Sequence, residues 1–274
     1  MSVSRESESG FREKDMASLS LTPETLAFVD ASEMPVTGKA TDYPAEHVIG
    51  SHSHRKGQLI YAVHGVMVVG SASGQWIVPP TRAIWMPAGV VHWIRCVGIV
   101  HMRSIYVHPD AAAGLPKRSQ AVGVSALLRE LIQAATEIAV PYDERSRDGR
   151  LMRLLLDELD TLPVLPLHLP QPSDERLARI CETLLARPDD GSTLADWSER
   201  LALDAKTIQR LFARDTGMTF GQWRQQARLL VGLEQLAAGS KVVDVALALG
   251  YDSPSAFATM FKRQFGQTPS EFFR

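Results

Sequence analysis

Three histidines and a glutamine are spaced as the ligands of one site would be. His52 and His54 stand two residues apart, Gln58 follows them, and His92 comes from a later segment. Residues two apart on a strand project from the same face, so the first two histidines would point together into a barrel. Three imidazoles and an amide oxygen could hold Zn²⁺, Ni²⁺, Mn²⁺ or Fe²⁺. The alternative is a metal-free polar pocket whose histidines contact an organic effector.

This set has no carboxylate, which weakens a metal site because the charge of the cation stays uncompensated. His101 and Arg103 alternate on a following segment and could face the same cavity, although at least one of them is expected to be solvated. The candidate effector pocket therefore consists of His52, His54, Gln58, His92, His101 and Arg103, and the candidate metal ligands are the first four. A metal-dependent enzyme would need a carboxylate or a general base here, and Gln58 supplies neither.

A second group of residues has the chemistry of a DNA-reading helix-turn-helix. Thr193 and Asp196 match a capping box that would start one helix, and Asp204 can start a second helix that Gly217 would end. The second helix would be apolar behind and polar in front, where it carries Lys206, Thr207, Gln209, Arg210 and Arg214. Arginine can donate two hydrogen bonds to guanine, and glutamine can pair with adenine, in the major groove. For this stretch alone, the alternative is an ordinary surface helix hairpin.

The same pattern occurs again nearer the C-terminus, and this repetition favours DNA binding over a simple hairpin. Ser253 and Pro254 would begin the second reading helix. That helix would bury Phe257, Phe261 and Phe265 and expose Ser255, Ala258, Thr259, Lys262 and Arg263. A helix near residues 220–238, started by Thr219 and Gln222, would separate the units by ~27 Å, against ~34 Å for one DNA turn.

Residues 192–274 resemble the DNA-binding domain of AraC/XylS-type transcription regulators. The closing sequence ALALGYDSPSAFATMFKRQFGQTPSEFF is similar to the signature of that family, and WRQQARLL resembles its linker helix. The resemblance implies that bases are contacted by Lys206, Gln209 and Arg210 in the first unit and by Ser255, Ala258 and Thr259 in the second. Two departures are Ala202, at a turn position where glycine is common, and the small side chains at the second set of contact positions.

The segment before these helices is predicted to form short strands. Apolar runs separated by Gly, Pro and Ser occupy residues 58–69, 75–79, 82–87, 90–97 and 99–108. Strands of this length and spacing are typical of a sandwich or jelly-roll barrel. The His-x-His pair and the later Pro-x-Gly-x-x-His92 resemble the two cupin motifs. Gln58 stands in the place of a usual glutamate, and Cys96 in that of a frequent asparagine.

Helical periodicity begins at Ser125 and covers two leucine-rich stretches, residues 127–138 and 151–162. By resemblance to the family these helices form the dimerisation element; the alternative is that they cover the side of the barrel. The proline-rich residues 163–172 predict an extended, semi-stiff linker rather than a core segment.

The predicted fold class is α+β and multidomain, with an N-terminal cupin β-barrel, a helical dimerisation segment and an all-α C-terminal domain. The predicted domains are a disordered tail (1–20), a cupin-type sensor (21–110), dimerisation helices (111–162), a linker (163–173) and a DNA-binding domain (174–274). The two helix-turn-helix units fall at about residues 193–214 and 242–265.

The composition is ordinary for a soluble protein. Because the net charge is close to zero, any basic surface that binds nucleic acid must be local. The 274 residues are 45% hydrophobic and 22% charged, with a net charge of -2. Between residues 206 and 228, however, five basic residues including Arg224 stand against the single acid Asp215. Phosphate binding responds to such local fields. Cys96 and Cys181 fall in different predicted domains and suggest no disulfide framework.

The sequence therefore predicts a one-component transcription regulator whose cupin pocket binds a small-molecule or metal effector. Its expected partners are double-stranded DNA, a second copy in a homodimer and RNA polymerase. No apolar run approaches the ~18–20 residues of a membrane span and no signal core is found, which predicts a cytoplasmic protein without a membrane partner. The alternatives are a metal-dependent cupin enzyme and an effector-independent DNA-binding protein.

Overall fold

The structure is a computed structural model that describes residues 30–80, 82–165 and 167–272. The predicted tail over residues 1–20 lies outside this described part. The strands of the described part are β1 (Val36–Tyr43), β2 (Val48–His52), β3 (Gly57–Ser71), β4 (Gly74–Val78), β5 (Arg82–Met86), β6 (His92–Val107), β7 (Gln120–Gly123), β8 (Val164–Leu165) and β9 (His168–Pro170). They join in one antiparallel sheet with the order β1-β6-β3-β5-β7-β8, with β2 beside β6, β4 beside β3 and β9 beside β4.

Strands β3 and β6 form the centre of this sheet, because each is long enough to pair with several neighbours. The two predicted strands 90–97 and 99–108 are one strand, β6, which continues through Gly98 at a φ of 71°. Strands β1 and β2 lie in residues 36–52, where the sequence predicts no individual strand. The predicted fold class is nevertheless confirmed: a sheet-rich N-terminal part precedes a helical C-terminal part.

Two helices cover one side of the barrel, α1 (Ala126–Ala135) and α2 (Arg147–Leu159). Their buried leucines share a core with Val36, Leu59 and Ile105 of the sheet. The two helices therefore cover the side of the barrel, which is the alternative that the sequence leaves open. Leu127 and Leu154 remain 48% and 43% exposed, so a dimer contact through this face stays a prediction.

The proline-rich segment is not the free linker that the sequence predicts. Strand β9 pairs with β4, His168 stacks on Trp76, and Leu167 and Leu169 are buried. Prolines are compatible with short strands at the edge of a sheet, and alternate leucines in this segment point inward. The segment therefore docks on the barrel immediately before the C-terminal helices begin.

The helical part contains α3 (Glu175–Ala186), α4 (Leu194–Leu201), α5 (Ala205–Thr216), α6 (Phe220–Ala237), α7 (Val242–Ala248), α8 (Pro254–Phe265) and α9 (Pro269–Phe272). Its predicted caps are present: Thr193, Asp204, Thr219 and Ser253 each accept a hydrogen bond from a backbone N–H of the adjoining helix. Such a bond satisfies one of the unpaired donors of the first helical turn. Within the described residues no helix combines the length and apolarity needed to cross a bilayer.

The barrel packs directly on α6, the helix between the two helix-turn-helix units. Arg95 of β6 forms an ion pair with Glu234 at 2.7 Å, and Trp223 donates a hydrogen bond from Nε1 to the carbonyl of Pro170 at 2.8 Å. One cluster of buried apolar side chains runs from the barrel interior into the helices. The two parts of the chain are thus joined by a packed interface.

Candidate effector pocket and DNA-binding surface

The structure brings His52, His54 and His92 together at one end of the barrel. One nitrogen from each ring lies within 4.8 Å of the others. Pairing of β2 with β6 sets His52 opposite His92, and their ring centroids are 4.3 Å apart. Such proximity brings three potential metal ligands to one point, as the spacing of the residues predicts.

Backbone carbonyls hold two of these rings in one orientation. His52 donates from Nδ1 to the carbonyl of Gly50 at 2.7 Å, and His92 donates from Nδ1 to that of Val90 at 2.9 Å. Each bond leaves Nε2 as a lone pair facing the cluster, the arrangement common for histidines that bind metals. Burial lowers the pKa of His92 to about 3, so this ring is neutral at pH 7.

His54 is the least satisfied member of the cluster. Its side chain is 4% exposed, and neither ring nitrogen has a hydrogen-bond partner among the described residues. Burial lowers the pKa of His54 to about 4, and the charges of His52 and Lys39 act in the same direction. A buried polar group without a partner is costly, so a ligand that binds this ring would remove that cost.

Gln58 lies beside the cluster next to His92, and its predicted role as a metal ligand stays a prediction. Its amide is 3.1 Å from His92 Nε2 and 3.1 and 3.2 Å from the hydroxyls of Ser104 and Tyr106. Its Oε1 is the atom next to His92 Nε2, and its Nε2 donates to the hydroxyls of Ser104 and Tyr106. Because neutral His92 carries its proton on Nδ1, the lone pair of its Nε2 and the Gln58 oxygen face each other with no proton between them.

His101 and Arg103 do not join this cluster. Arg103 donates to Gln133 of α1 and to Asp42, both at 3.2 Å, and His101 lies 3.0 Å from Asp42. Both residues sit on the face of β6 opposite to Ser104, because successive side chains on a strand alternate. Their predicted place in the effector pocket is corrected to the outer, helix-covered side of the barrel.

Sequence reasoning missed several inward-facing polar groups near the histidines. Thr37 stands opposite Tyr106, and Lys39 opposite Ser104, so both lie on the interior face of the sheet. Lys56 is 3% exposed, and burial lowers its pKa. None of these residues belongs to a recognisable motif, and only the register of β1 on β6 brings the first two inside.

The polar face of α5 is free to contact another molecule. Lys206, Gln209 and Arg210 are exposed, while Ile208 and Phe212 on the opposite face are buried. Within the described chain, no hydrogen bond or ion pair engages those three polar side chains, so their donors are available.

Other predicted DNA contacts are already engaged within the protein. Arg214 forms an ion pair with Asp215 at 2.7 Å, and Arg224 donates to the carbonyl of Ser192 at 3.0 Å. Thr207 is half-buried in the first turn of α5. We conclude that these side chains hold the first helix-turn-helix unit in place at least as much as they offer hydrogen-bond donors to DNA.

The second reading helix, α8, offers less to a base edge. Thr259 donates its hydroxyl to the carbonyl of Ser255 at 2.8 Å, and Ala258 is half-buried. Lys262 and Arg263 are in the last turn. Charged groups are thus available at the end of this helix, whereas its predicted base-contacting positions carry small side chains.

Comparison with known proteins gives the family. Residues 34–159 match an AraC-like ligand binding domain, and residues 197–274 match a helix-turn-helix domain. The HTH-type transcriptional regulator NimR of Escherichia coli (strain K12) is 36% identical over 221 residues, which are 81% of this chain and 81% of that relative. This chain belongs to the AraC-type family of helix-turn-helix transcription regulators. It is a DNA-binding regulator with an AraC-like ligand-binding domain.

Other relatives and solved structures show weaker similarity to the chain. The HTH-type transcriptional regulator RipA of Corynebacterium diphtheriae is 32% identical over 107 residues, 39% of this chain and 31% of that relative. Among solved structures, ToxT from Vibrio cholerae covers 88% of this chain and 98% of its own at 10% identity, with a TM-score of 0.37. The family assignment rests on the sequence matches.

Proposed function

We propose that this regulator reads operator DNA mainly with α5, and that Lys206, Gln209 and Arg210 contact the bases. The observation that carries the proposal is that these three exposed side chains have no partner among the described residues, whereas the arginines nearby do. Arg210 would donate two hydrogen bonds to a guanine, and Gln209 would pair with an adenine. Arg224, half-buried on α6, would at most add to phosphate binding.

The second unit would hold the DNA backbone through Lys262 and Arg263. Phosphate contacts position a protein on the duplex without reading sequence. Selection of DNA from a random pool by the purified protein tests both parts of this proposal. We expect sharp base preference under α5 and weak preference under α8. Equally sharp information in both halves of the selected site would contradict it.

The effector site would be the three-histidine cluster, loaded with a divalent cation such as Zn²⁺, Ni²⁺, Mn²⁺ or Fe²⁺. The donor set fits, since two rings are oriented by backbone carbonyls and His54 has two unsatisfied buried nitrogens. A cation bound by three protein ligands keeps a position open for a further ligand. Gln58 would keep His92 in place.

The effector signal would reach the reader through β6. His92 and Arg95 are on the same strand, three residues or ~10 Å apart. Arg95 pairs with Glu234 of α6, and α6 lies between the two reading units. A shift of β2 against β6 at His52 and His92 would therefore change how the barrel holds α6. An effector acts in this way only if it binds the two states with different affinity.

Replacing His52 and His92 together with alanine tests the effector site. We expect unchanged folding and basal DNA binding, loss of near-stoichiometric metal in elemental analysis, and loss of the transcriptional response. His64→Ala is the matched control, because His64 is exposed and outside the cluster. If both proteins are metal-free and only the response is lost, the ligand is organic. A double variant that responds normally would contradict the site altogether.

The remaining expectations concern assembly and location. The exposed leucines Leu127 and Leu154 on α1 and α2 would contribute to a homodimer, whose two readers bind well only at half-sites of matching spacing. As a transcription regulator, the protein would also contact RNA polymerase and lie in the cytoplasm. Sedimentation of the wild type and a Leu127→Ser, Leu154→Ser variant tests the dimer, and a monomeric wild type would contradict it.

A further inference from the structure

Lys56 is a buried cation that forms no ion pair with any residue the structure describes. Its side chain is 3% exposed, and its Nζ has no hydrogen-bond partner among the described residues. The charges of Asp30 and Glu33 act on Lys56, but within the described residues neither forms an ion pair with it at 4.0 Å or less. Glu33 lies instead near His108, and Asp30 accepts a hydrogen bond from the backbone of Arg55.

A buried ammonium group in this condition reduces the stability of the protein that carries it. Burying an unpaired charge is among the most costly events in folding, and a lysine is rarely buried fully unless it is paired. A residue that destabilises the free protein is retained where function needs it. The missing partner of Lys56 is therefore expected to be a ligand of opposite charge.

The surroundings of Lys56 suit the acidic end of a small molecule. His54, two residues away, has unsatisfied nitrogens, and Thr37 has a buried hydroxyl without a partner among the described residues. Lys39 is close enough for its charge to act on His54. An open depression next to His54 is lined by Asp30, Ser53, His54, Arg55, Ala88 and Gly89.

We propose that the effector is a small organic acid whose carboxylate pairs with buried Lys56, two residues along the chain from His54 of the histidine cluster. The proposal rests on the effector site proposed above and names the class of its ligand. A carboxylate fits the donors present, because its two oxygens can accept from an ammonium group and a hydroxyl at once. A phosphate group more often requires arginine or a set of backbone N–H groups. The buried cation next to His54 in the chain is a lysine, whereas Arg55 is exposed.

The test compares ligand binding by wild type, Lys56→Met and Lys117→Met. Methionine keeps most of the length of the lysine side chain without its charge, and Lys117 is an exposed lysine of the same part of the chain. The probes are malonate, benzoate, the neutral malonamide and inorganic phosphate, titrated calorimetrically at constant ionic strength. We expect one equivalent of malonate or benzoate to bind wild type and Lys117→Met, with at least tenfold weaker binding by Lys56→Met.

Two further readouts separate this proposal from the function on which it rests. Lys56→Met retains the three histidines, so its metal content should equal that of the wild type. Its midpoint of urea unfolding should rise, because a buried charge has been removed. The proposal is overturned if neither acid binds better than malonamide, if Lys56→Met binds them equally well, or if phosphate binds as tightly through Lys56. Selective DNA binding by the same wild-type sample would show in those cases that the regulator itself is active.

Discussion

The two helix-turn-helix units have matching cores and different surfaces. Phe212 of the first unit and Phe257 of the second are both fully buried. Phe212 contacts Phe220 near the start of α6, whereas Phe257 lies where a methyl group on Gly232, later in α6, would meet it. The exposed face of α5 carries long polar side chains, while the corresponding face of α8 carries Ser255, Ala258 and Thr259.

The units also differ in how they are attached to the rest of the molecule. In the first unit Asp215 accepts hydrogen bonds from the backbone and hydroxyl of Ser173, just before α3. In the second, α7 begins at Lys241 without a side-chain cap, and Val243 and Leu247 are exposed. Under the proposal above, the two units use similar packing for two tasks, reading bases and holding the DNA backbone.

The largest expected effect tests whether the two cores are equivalent. Phe212→Ala and Phe257→Ala should each lower the free energy of unfolding by about 3–5 kcal/mol, because each leaves a cavity in a closed core. Urea unfolding followed by circular dichroism at helical wavelengths measures this loss. Phe265→Ala is the control with a smaller effect, since Phe265 is only partly buried. A large loss for one phenylalanine alone would mean that the units differ in their cores as well.

The next effect tests whether the surfaces differ as proposed. Arg210→Ala should weaken binding to selected DNA by about 1–3 kcal/mol and relax preference at one position, because a bidentate base contact is lost. Lys262→Ala should weaken binding to all sequences alike and reduce the salt dependence by about one phosphate contact. Gel-shift titration on selected and scrambled duplexes separates the two patterns.

Arg214→Ala is the matched control for Arg210→Ala. Its guanidinium is paired with Asp215, so its removal should leave discrimination between sequences largely intact. Unchanged discrimination by Arg210→Ala would show that α5 does not read the bases through this residue.

The sequence predicts those features of the two units that are determined by residues close together in the chain. The caps at Thr193, Asp204 and Thr219 follow from residues three apart, and the structure has them where the sequence places them. The convergence of His52 and His92 is expected from the resemblance to the cupin motifs, and the pairing of β2 with β6 brings it about.

Features that depend on long-range packing do not follow from local sequence. Arg95 and Glu234 are 139 residues apart, and nothing local to either residue indicates the pair. The docking of Leu167 and Leu169 depends on an open edge at β4, which the proline content of the segment does not reveal. In the sequence Lys56 looks like a surface lysine, and only the folded structure shows that it is buried. Strand register also decides the neighbours of Arg103, which lie outside the predicted pocket.

A smaller effect concerns the attachment of the first unit at acidic pH. The guanidinium of Arg214 lowers the pKa of Asp215 to about 2, and Arg176 lowers the pKa of Asp174 to about 2. A carboxyl with a depressed pKa in the folded state adds stability above its unfolded value of about 4, and that stability disappears as pH falls towards 2. Asp215→Asn should therefore be less stable at pH 7 by about 1–2 kcal/mol, roughly one hydrogen bond to a charged group.

Unfolding by urea at several pH values between 2 and 7 tests this prediction for Asp215. The difference between wild type and Asp215→Asn should shrink as pH falls from about 4 to about 2, because the carboxyl is protonated first in the unfolded chain and then in the folded protein. Asp244→Asn is the control in the second unit, since this exposed residue of α7 has no ion pair among the described residues. A difference that stays constant over this range would contradict the role of the Asp215 charge.

The smallest expected effect concerns the turns of the two units. The same left-handed backbone conformation is adopted by an alanine in the first turn and by a glycine in the second. Ala202 ends α4 in the left-handed region at a φ of 50°, whereas the second unit has Gly250 at 72°. This conformation costs a non-glycine residue roughly 1–2 kcal/mol, and glycine loses about 0.5–1 kcal/mol of that advantage through its greater freedom when unfolded. Ala202→Gly should therefore raise the free energy of unfolding by about 1 kcal/mol or less.

The reverse substitution in the second unit should have the opposite sign. Gly250→Ala introduces the same backbone strain and places a methyl group 3.0 Å from Cα of Asp189, so stability should fall. Ala213→Gly, in the exposed middle of α5, controls for glycine itself and should lower stability by about 1 kcal/mol. Since neither turn includes the proposed base contacts, DNA discrimination should be unchanged in all three variants. A loss of stability in Ala202→Gly would mean that contacts of its methyl group outweigh the strain, and that the first unit is built around alanine.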